Sequence, residues 1–480
     1  MIALYSILAL LAVLLLVLLG KTFAASKKAR KLAPAKPTHT AEESKAYALR
    51  LREMIQCQTV SVKNSFDDTE FQKLRDVMQT LFPLVHERCE KMTFSDDCWV
   101  YKLSGKDQSH NIMLMSHHDV VAVSGEWEHG GFSGTFADGK IWGRGTVDTK
   151  TPLFAEFSAL EELLQEGFVP PCNVYIGSSH NEELGGDGIP TANEYFKAHN
   201  IRFDVILDEG GAVIEPPLGG MHCDKCAMVA VHEKGRYYLN CTAKAGNAHA
   251  SLTAAAKKTP VERMALFIEE ITNKNIFIRR LNPQVTAMFQ HLAPYSGFAM
   301  KLLFSNLWLF APLLKAVMPK INPQAGGLIG TTCTFNKIEG STEAKVCTAR
   351  AFLRPVDEAD FQKDLEAFRA VAAKYDIEIE IDKESEYHGP ADMTKAPFAY
   401  TMQCIGEVFP QYPASPFILP AGTDARTLTD VCDCVLRFAP IRLSAQQLAS
   451  VHAENENIDI DAVADCVTFY KHFLKNYKIN

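Results

Sequence analysis

The stretch that decides the fold covers residues 111–188 and reads NIMLMSHHDVVAVSGEWEHGGFSGTFADGKIWGRGTVDTKTPLFAEFSALEELLQEGFVPPCNVYIGSSHNEELGGDG. Apolar runs at 111–116 and 173–178 predict buried strands, and apolar residues spaced three or four apart over 151–167 predict a helix between them. Alternating strands and helices favour an α/β protein with a mostly parallel sheet and helices on both faces. Because such sheets present reactive side chains at the carboxyl ends of their strands, the residues that follow these strands are candidates for function.

Histidines and acids stand at those strand ends. His117, His118 and Asp119 come directly after the first strand, and Glu182 and Glu183 follow the second. Alternate residues of a strand point the same way, so His117 and Asp119 share one side and His118 is expected to face elsewhere. One member of the pair can bind a metal ion while the other accepts the second ring N–H and orients the imidazole. The spacing therefore predicts a metal ligand with its own orienting acid.

Three more ligand-type residues lie outside these clusters. Asp148 ends the glycine-rich turn GRGTVD, Asp208 follows a predicted strand at 203–207, and His452 lies in the polar loop VHAENE. A carboxylate can bridge two cations, and five such groups suit two metal ions about 3.5–4 Å apart. Histidine combined with carboxylates favours zinc or a similar divalent ion. The candidate ligands are His117, Asp148, Glu183, Asp208 and His452, with Glu182 as the general base for metal-bound water.

A second pattern begins after about residue 231. Strands and helices are predicted in the order β-α-β-β-α-β, at 236–243, 260–272, 327–337, 344–353, 361–375 and 377–381. This order is that of a ferredoxin-like unit, inserted into a first domain whose pattern resumes near residue 396. We expect the first domain, which begins with helices at 42–56 and 71–85, to cover residues 42–231 and 386–480, and the inserted one to cover 232–385.

An apolar segment at 275–324 interrupts the inserted unit and contains FAMKLLFSNLWLFAPLLKAVMP. Lys301, Asn306, Pro312 and Lys315 break its apolar character. One interpretation is a buried pair of helices. The other is an apolar substrate pocket or a patch that touches a membrane. Both interpretations stay open on the sequence alone.

The N-terminus carries an unbroken apolar run at 2–19, near the minimum length for a membrane-spanning helix. No Lys or Arg precedes the run, which favours an uncleaved anchor at 1–20 over a cleaved signal peptide. A Lys-, Ala- and Pro-rich linker is expected at 21–41. Its basic residues favour a cytoplasmic catalytic domain by the positive-inside rule, so the protein is expected at a membrane with the side of that domain open.

Composition excludes some classes of protein. The net charge of −8 and the pI of about 6.0 give no support for a nucleic-acid partner. The 13 cysteines are odd in number and scattered, so we expect mostly free thiols, as in a reducing compartment. The CxxC at 223–226 has no second pair nearby and is expected to be structural or incidental.

Seven motifs together resemble one known family: SHHDVV, GRGTVDTK, HNEE, LDEGG, GNAHAS, AGTDAR and VHAENE. The chain is similar to the di-zinc metallopeptidases that include aminoacylase, carboxypeptidase S, carnosinase and succinyl-diaminopimelate desuccinylase. The resemblance covers nearly everything after the linker. Within the family, the long insertion and the apolar N-terminus resemble the carboxypeptidase S and N-fatty-acyl-amino-acid hydrolase branch most. Relatives that are secreted or lumenal imply a catalytic domain outside the cytoplasm, against the basic flank.

The resemblance implies a role for each matching residue. Asp148 would bridge two Zn²⁺ ions, with Co²⁺ or Mn²⁺ as substitutes; His117 and Asp208 would complete one site, and Glu183 and His452 the other. Glu182 would be the base and Asp119 would orient His117. The remaining implied residues are His249 for the oxyanion, Arg354 for a substrate carboxylate, and the loop residues Gly422, Thr423 and Arg426, although Arg426 has the alternative of pairing with Asp424.

The function implied is zinc-dependent hydrolysis of the amide bond of a C-terminal amino acid in a short peptide or N-acyl amino acid. The inserted unit would be a lid or dimerisation domain, which implies a homodimer. The apolar segment at 275–324 within it argues instead for a monomer. Two other functions remain as alternatives. One is a catalytically silent, membrane-tethered binding protein on the same fold, and the other is a scaffold that acts through the 275–324 insertion.

Overall fold

The structure is a computed structural model that describes residues 1–35, 37–217, 219–245, 258–321, 323–341 and 345–479. The chain divides into two compact units. The first consists of Met1–His232, Ala287–Ser305 and Pro390–Asn480, and the second of Glu233–Thr286 and Asn306–Gly389. All five candidate metal ligands belong to the first unit.

The strands of the described residues are β1 Glu90–Phe94, β2 Cys98–Leu103, β3 Asp107–Met115, β4 Thr135–Ala137, β5 Lys140–Trp142, β6 Cys172–Ser178, β7 Val205–Asp208, β8 Val213–Ile214, β9 Cys226–Glu233, β10 Tyr237–Lys244, β11 Thr332–Gly340, β12 Val346–Arg354, β13 Ile377–Ile381, β14 Ala414–Leu419, β15 Val435–Arg437 and β16 Asn457–Asp459. The α-helices are Ile2–Lys28, Ala41–Ile55, Asp68–Leu81, Pro83–Arg88, Lys150–Gln165, Gly188–Ala198, Pro260–Asn273, Pro283–Leu292, Phe298–Ser305, Leu307–Ile321, Pro323–Gly327, Glu358–Lys374, Ala396–Val408, Ala445–Ala449 and Ile460–Asn476. Short 3₁₀ turns cover Glu182–Leu184, Ala293–Tyr295 and Asp424–Asp430.

A nine-stranded mixed sheet forms the centre of the first unit. Its strands lie in the order β1-β2-β6-β3-β7-β15-β9-β14, with β8 beside β9. Strands β6, β3, β7 and β15 pair in parallel, whereas β1 with β2, β2 with β6, and β9 with β15 and β8 pair antiparallel. The expected mostly parallel sheet is therefore only its centre. That centre brings the carboxyl ends of β3, β6 and β7 to one edge.

The central strands are apolar on both faces because helices cover both faces. Ile112 and Met113, on opposite faces of β3, and Ile176 of β6 are at most 1% exposed. Helix Lys150–Gln165 contributes Phe154 and other buried side chains to the same core cluster. Burial of a large apolar side chain contributes roughly 1.5–3 kcal/mol, so this core fixes the strands whose ends carry the candidate ligands.

A separate three-stranded sheet, in the order β16-β5-β4, completes the first unit. Strand β16 runs antiparallel to β5 and places Asn457 opposite Trp142. The turn that follows β5 and the loop that precedes β16 are therefore neighbours in space, although they lie far apart in the sequence. These two segments carry Asp148 and His452.

The second unit contains a four-stranded antiparallel sheet in the order β11-β12-β10-β13. Helices Pro260–Asn273 and Glu358–Lys374 contribute Phe267, Phe361 and Phe368 to its core. Side chains cap both helices at their N-termini, through Thr259 and Asp357.

The N-terminal helix Ile2–Lys28 extends beyond the apolar run. Among the described residues, it is the one helix that is long and apolar enough to cross a membrane on its own. Signal sequences share this property. The segment after it, expected to be a linker, bonds to the first unit. Arg30 donates from its guanidinium to the carbonyls of Pro410, at 2.9 Å, and Tyr412, at 2.5 Å, and Ala33 N–H donates to Pro410 O at 3.0 Å.

Two predicted elements differ from the structure, and some strands, β1 and β2 among them, were not predicted. The helix expected at 71–85 is two helices, because Pro83 lacks an N–H and starts a new helix at its first position. The strand expected at 327–337 begins only at Thr332, after a short helix. The antiparallel strands β1 and β2 had no clear alternating pattern in the sequence.

The apolar insertion at 275–324 is largely helical. Phe289 and Phe304 are buried and stacked at a centroid distance of 4.5 Å. Phe298 and Trp308 are exposed by 58% and 54%. The segment therefore combines a buried side with exposed apolar side chains, and neither interpretation of the sequence describes it alone.

Candidate metal centre

Asp148 lies between two histidines. Its Oδ1 is 2.9 Å from His117 Nε2, and its Oδ2 is 3.1 Å from His452 Nε2. Each carboxylate oxygen thus faces a different imidazole. Gly145, in the turn before it, has φ +88°, a left-handed conformation that favours glycine, and the Asp148–Thr149 peptide bond is cis.

Glu183 joins this group from the 3₁₀ turn after β6. Its Oε2 is 2.9 Å from His452 Nε2, and one ligand atom each of His117, Asp148 and Glu183 lies within 4.8 Å of the others. Its Oε1 is buried and has no hydrogen-bond partner among the described residues. Such an oxygen costs about 1–3 kcal/mol when left unsatisfied, and a cation would satisfy it.

The charges of the group also fit a divalent cation. Hydrogen bonds to Asp148 and Glu183 raise the pKa of His452 to about 10. Burial opposes the charged form of His117, but hydrogen bonds to Asp119 and Asp148 hold its pKa well above the usual value. The acids therefore attract positive charge strongly, and metal ions can replace the two imidazole protons. The donor set of imidazoles and carboxylates is the one that zinc prefers.

Asp119 orients His117 and positions the next loop. His117 Nδ1 is 3.0 Å from the backbone oxygen of Asp119 and 3.3 Å from its Oδ1. The N–H groups of Glu182 and Glu183 donate to the two carboxylate oxygens of Asp119, at 3.1 and 3.2 Å. His118 faces elsewhere, as expected, and stacks on Trp99 at 3.9 Å.

Asp208 is buried at the end of β7 and stands outside the compact group of three. Its Oδ2 accepts the N–H of Ala425 at 3.1 Å. Burial, and then the charge of Asp424, raises the pKa of Asp208 to about 7. Asp424 in turn accepts a hydrogen bond from Ser179, so this side of the edge carries a second pair of close acids.

Two acids beside the group favour the protonated form. Burial raises the pKa of Glu182 well above its usual value, against the charge of His117. Burial, with the charges of Asp148 and Asp208, does the same for Glu209. A carboxyl group that holds a proton this readily is suited to accept one during a reaction. Glu209 was not singled out from the sequence, where it reads as the neighbour of a ligand.

Glu456 is the main residue that the sequence did not single out. Its fully buried carboxylate accepts N–H groups of Gly145, Val147 and Asp148, at 3.1, 2.7 and 3.2 Å. It also accepts from Arg144 Nη1 at 2.6 Å. Glu456 therefore holds the Asp148 turn against the His452 loop. Its only signal in the sequence was its place four residues after His452.

The residues expected to bind substrate have varied surroundings. Arg426 is buried and donates from Nη1 to Thr423 O at 2.6 Å, and Thr423 is 1% exposed. Gly422 precedes it in the same loop. In the second unit, Arg354 donates to the backbone oxygens of Lys234 and Gly235, at 3.1 and 3.4 Å. His249 lies outside the described residues.

A family model described as Peptidase family M20/M25/M40 matches residues 113–476. The chain belongs to this peptidase family. "Probable carboxypeptidase S-like 2" of Dictyostelium discoideum is 29% identical over 96% of this chain and 92% of its own length. "N-fatty-acyl-amino acid synthase/hydrolase PM20D1" of Xenopus tropicalis is 27% identical over 97% and 93%. The M20 chain is thus a metallopeptidase-type hydrolase, as the resemblance implied.

Solved structures show the same fold. An "M20 family metallo-carboxypeptidase Sso-CP2" from Sulfolobus solfataricus superposes with a TM-score of 0.63 at 18% identity, covering 89% of this chain and 98% of that one. M20 proteins typically bind two metal ions. The His, Asp and Glu side chains gathered around Asp148 are where this M20 chain offers suitable ligands.

Proposed function

We propose that the protein is a two-metal amidohydrolase that releases the C-terminal amino acid from a short peptide or an N-acyl amino acid. The observation that carries this proposal is Asp148, whose two carboxylate oxygens each face a different histidine. A carboxylate in this position can hold two cations a few ångströms apart. We propose His117 and Asp208 for one ion, Glu183 and His452 for the other, and zinc as the metal.

Bound metal ions would polarise the scissile carbonyl and lower the pKa of water. The chain's own residues would supply proton transfer. Glu182 follows the end of β6, next to the ligand Glu183, and burial raises the pKa of its carboxyl group. It would take a proton from the attacking water and pass it to the departing amine. Asp119 would keep the His117 ring in place through its contacts with Nδ1.

Five residues are proposed to recognise the substrate. Arg354 and Arg426 are the candidates for the substrate carboxylate, with Gly422 and Thr423 alongside, and His249 is the candidate for the oxyanion. The guanidinium of Arg426 already bonds to its own loop, which favours a positioning role for it. The names of relatives that act on N-fatty-acyl amino acids support an N-acyl amino acid as substrate.

The remaining parts of the proposal concern organisation. Helix Ile2–Lys28 would be a single-pass anchor. The second unit, which does not include Ala287–Ser305, would be a ferredoxin-like lid or dimerisation domain within the insertion expected at 232–385. A catalytically silent scaffold is not favoured, because every proposed ligand and the proposed base carry side chains that can do the chemistry.

The test compares hydrolysis of a panel of N-acyl amino acids and dipeptides by the wild-type chain, the Glu182→Gln variant and the matched control Glu87→Gln, an exposed residue of the same unit. Loss of a general base is expected to lower kcat by about 10²–10⁴-fold, while metal content stays unchanged. Chelation should abolish activity in the wild type and the control. Equal activity of Glu182→Gln and wild type, or activity that survives complete removal of metal, would overturn the proposal.

A further inference from the structure

The N-terminal helix is fixed to the first unit on one side. Leu14, Leu18, Thr22 and Ala25 recur at helical spacing and, with Leu19, are the covered or partly covered positions of its C-terminal half, with Thr22 only 1% exposed. The helix packs chiefly against helix Phe298–Ser305 and the turn Ala293–Tyr295 before it. The remaining sides of the apolar run are exposed. Protein therefore covers one side of only the last turns of the proposed membrane span, from Leu14 onward.

The same contact continues beyond the span. Tyr295 donates from its hydroxyl to Arg30 O at 3.1 Å, and Arg30 holds the carbonyls of Pro410 and Tyr412. A Cβ at Gly406 would lie 3.2 Å from Arg30 Nε, so glycine leaves room for this side chain. These bonds attach the residues after the span to the rest of the first unit, so this segment is not a free linker.

Segment 293–305 is in turn held by the body of the first unit. Its backbone bonds to the loop near residue 220, through Gly297 N–H to Gly220 O at 2.8 Å and His222 N–H to Tyr295 O at 2.7 Å. Phe304 is buried against Phe289. These contacts hold helix Phe298–Ser305 against the N-terminal helix on one side and against the rest of the first unit on the other.

This geometry sets the depth of helix Phe298–Ser305. A helix rises about 1.5 Å per residue, so Leu14 lies about 8 Å before the end of the apolar run at Leu19. A run that fills a hydrocarbon layer of about 30 Å places whatever covers Leu14 and Leu18 at the boundary between acyl chains and headgroups. Phe298, which is 58% exposed, lies on that covering helix.

We propose that helix Phe298–Ser305 is a second membrane element, which lies in the acyl–headgroup boundary of the bilayer that the N-terminal helix crosses. It rests on the proposed anchor and not on catalysis. The first unit is then docked on the membrane with one fixed face. The occupant of the exposed apolar side at Phe298 is lipid, because Phe298 is exposed on a helix that itself packs against the span.

The test uses the full-length chain in phosphatidylcholine nanodiscs, with intact mass confirming that residues 1–28 are present. p-Acetylphenylalanine replaces Phe298, or Val169 as an exposed apolar control of the same unit, and carries a ketoxime nitroxide, which leaves the free cysteines unlabelled. Collision rates with oxygen and with a water-soluble nickel chelate are measured by electron paramagnetic resonance. Oxygen collisions should dominate at position 298 and nickel collisions at position 169.

Nickel collisions that dominate at both positions would overturn the proposal, because Phe298 would then lie in water. Low accessibility of position 298 to both reagents would also overturn it, in favour of a protein partner on this side. So would removal of the N-terminal helix during maturation. The same samples are assayed for amide hydrolysis, and since the readout of depth does not use catalysis, either proposal can fail while the other stands.

Discussion

The candidate site has two sides that are built differently. His117 and Glu183 follow, and Asp208 ends, neighbouring strands of the nine-stranded sheet. Asp148 and His452 come from loops, which are brought together by the pairing of β5 with β16 and by polar contacts, chiefly those of the Glu456 carboxylate and of Arg144 with Ala453 O. The strand-end side depends on a buried core, whereas the loop side depends on a few polar contacts. Substitutions on the loop side should therefore have the larger effects on stability and metal binding.

Removal of Glu456 tests the loop side most severely. Glu456→Ala removes the acidic partner of the buried Arg144 guanidinium, which keeps its bond to Ala453 O, and the acceptor of three backbone N–H groups. Loss of one partner of a buried ion pair costs about 3–5 kcal/mol, so we expect a drop of that size in the free energy of unfolding, with loss of bound metal. Denaturant unfolding and metal analysis measure both. Glu454→Ala, an exposed acid of the same loop, should behave as wild type; equal stability of the two variants would contradict the assigned role.

Asp119→Asn tests the strand-end side. An amide keeps the shape of the side chain but weakens the orientation of His117, and changes of this kind typically lower metal affinity about 10–100-fold. Competition with a fluorescent chelator measures the affinity. Asp138→Asn is the matched control, since Asp138 is exposed and has φ +52°, which asparagine tolerates. An unchanged affinity in Asp119→Asn would show that the ring is held by the backbone oxygen alone.

The pH dependence of the stability of the metal-free protein should reveal the contribution of His452. The pKa of His452 is raised to about 10 in the folded state, above an unfolded value of about 6.5. Its ion pairs therefore stabilise fully below pH 6.5, and this contribution is lost as pH rises through about 10. Because the His452 side chain is half exposed, solvent screening reduces the effect. Thermal unfolding from pH 6 to 10 should show a smaller decline in His452→Gln than in wild type; identical declines would exclude His452 as the source.

The smallest expected effect concerns the helix that leads into the His452 loop. Ser444 caps helix Ala445–Ala449 in a reciprocal arrangement with Gln447. Ser444→Ala should lower the free energy of unfolding by about 1 kcal/mol and leave kcat nearly unchanged. Gln446→Ala, at an exposed position of the same helix, is the control. A large loss of activity in Ser444→Ala would mean that this cap positions His452.

The sequence was more informative for the strand-end side. An apolar run followed by a histidine and acids is local, so His117 and Glu183 could be placed at strand ends, and the structure brings them near Asp148. Glu456 could not be found in this way, because its role depends on backbone N–H groups in a distant part of the sequence. The antiparallel strands beside the parallel centre were missed for the same reason. Strand pairing is a long-range choice, and β1 shows no local pattern that reveals its partner.

Resemblance to a family contributed what local patterns did not. The loop residues Asp148 and His452 gained their roles from the joint order of seven motifs, and the structure places them in contact. Neither the local sequence pattern nor the family resemblance could predict what Arg426 contacts, because a guanidinium can bind a ligand or its own loop. The hydrogen bond from Arg426 to Thr423 O forms only in the folded protein, and it shows that this guanidinium binds its own loop.

The pairing of β16 with β5 also sets the order in which the protein is completed. During synthesis, the turn at 143–148 leaves the ribosome long before Glu456, which is 311 positions after Gly145 in the chain. At about 5–20 residues per second, roughly 15 to 60 seconds pass between the synthesis of this turn and the synthesis of Glu456, whose carboxylate binds it. The metal centre therefore assembles as one of the last events of biogenesis, and a chain that stops before residue 456 would have a large part of its core but an unfinished site.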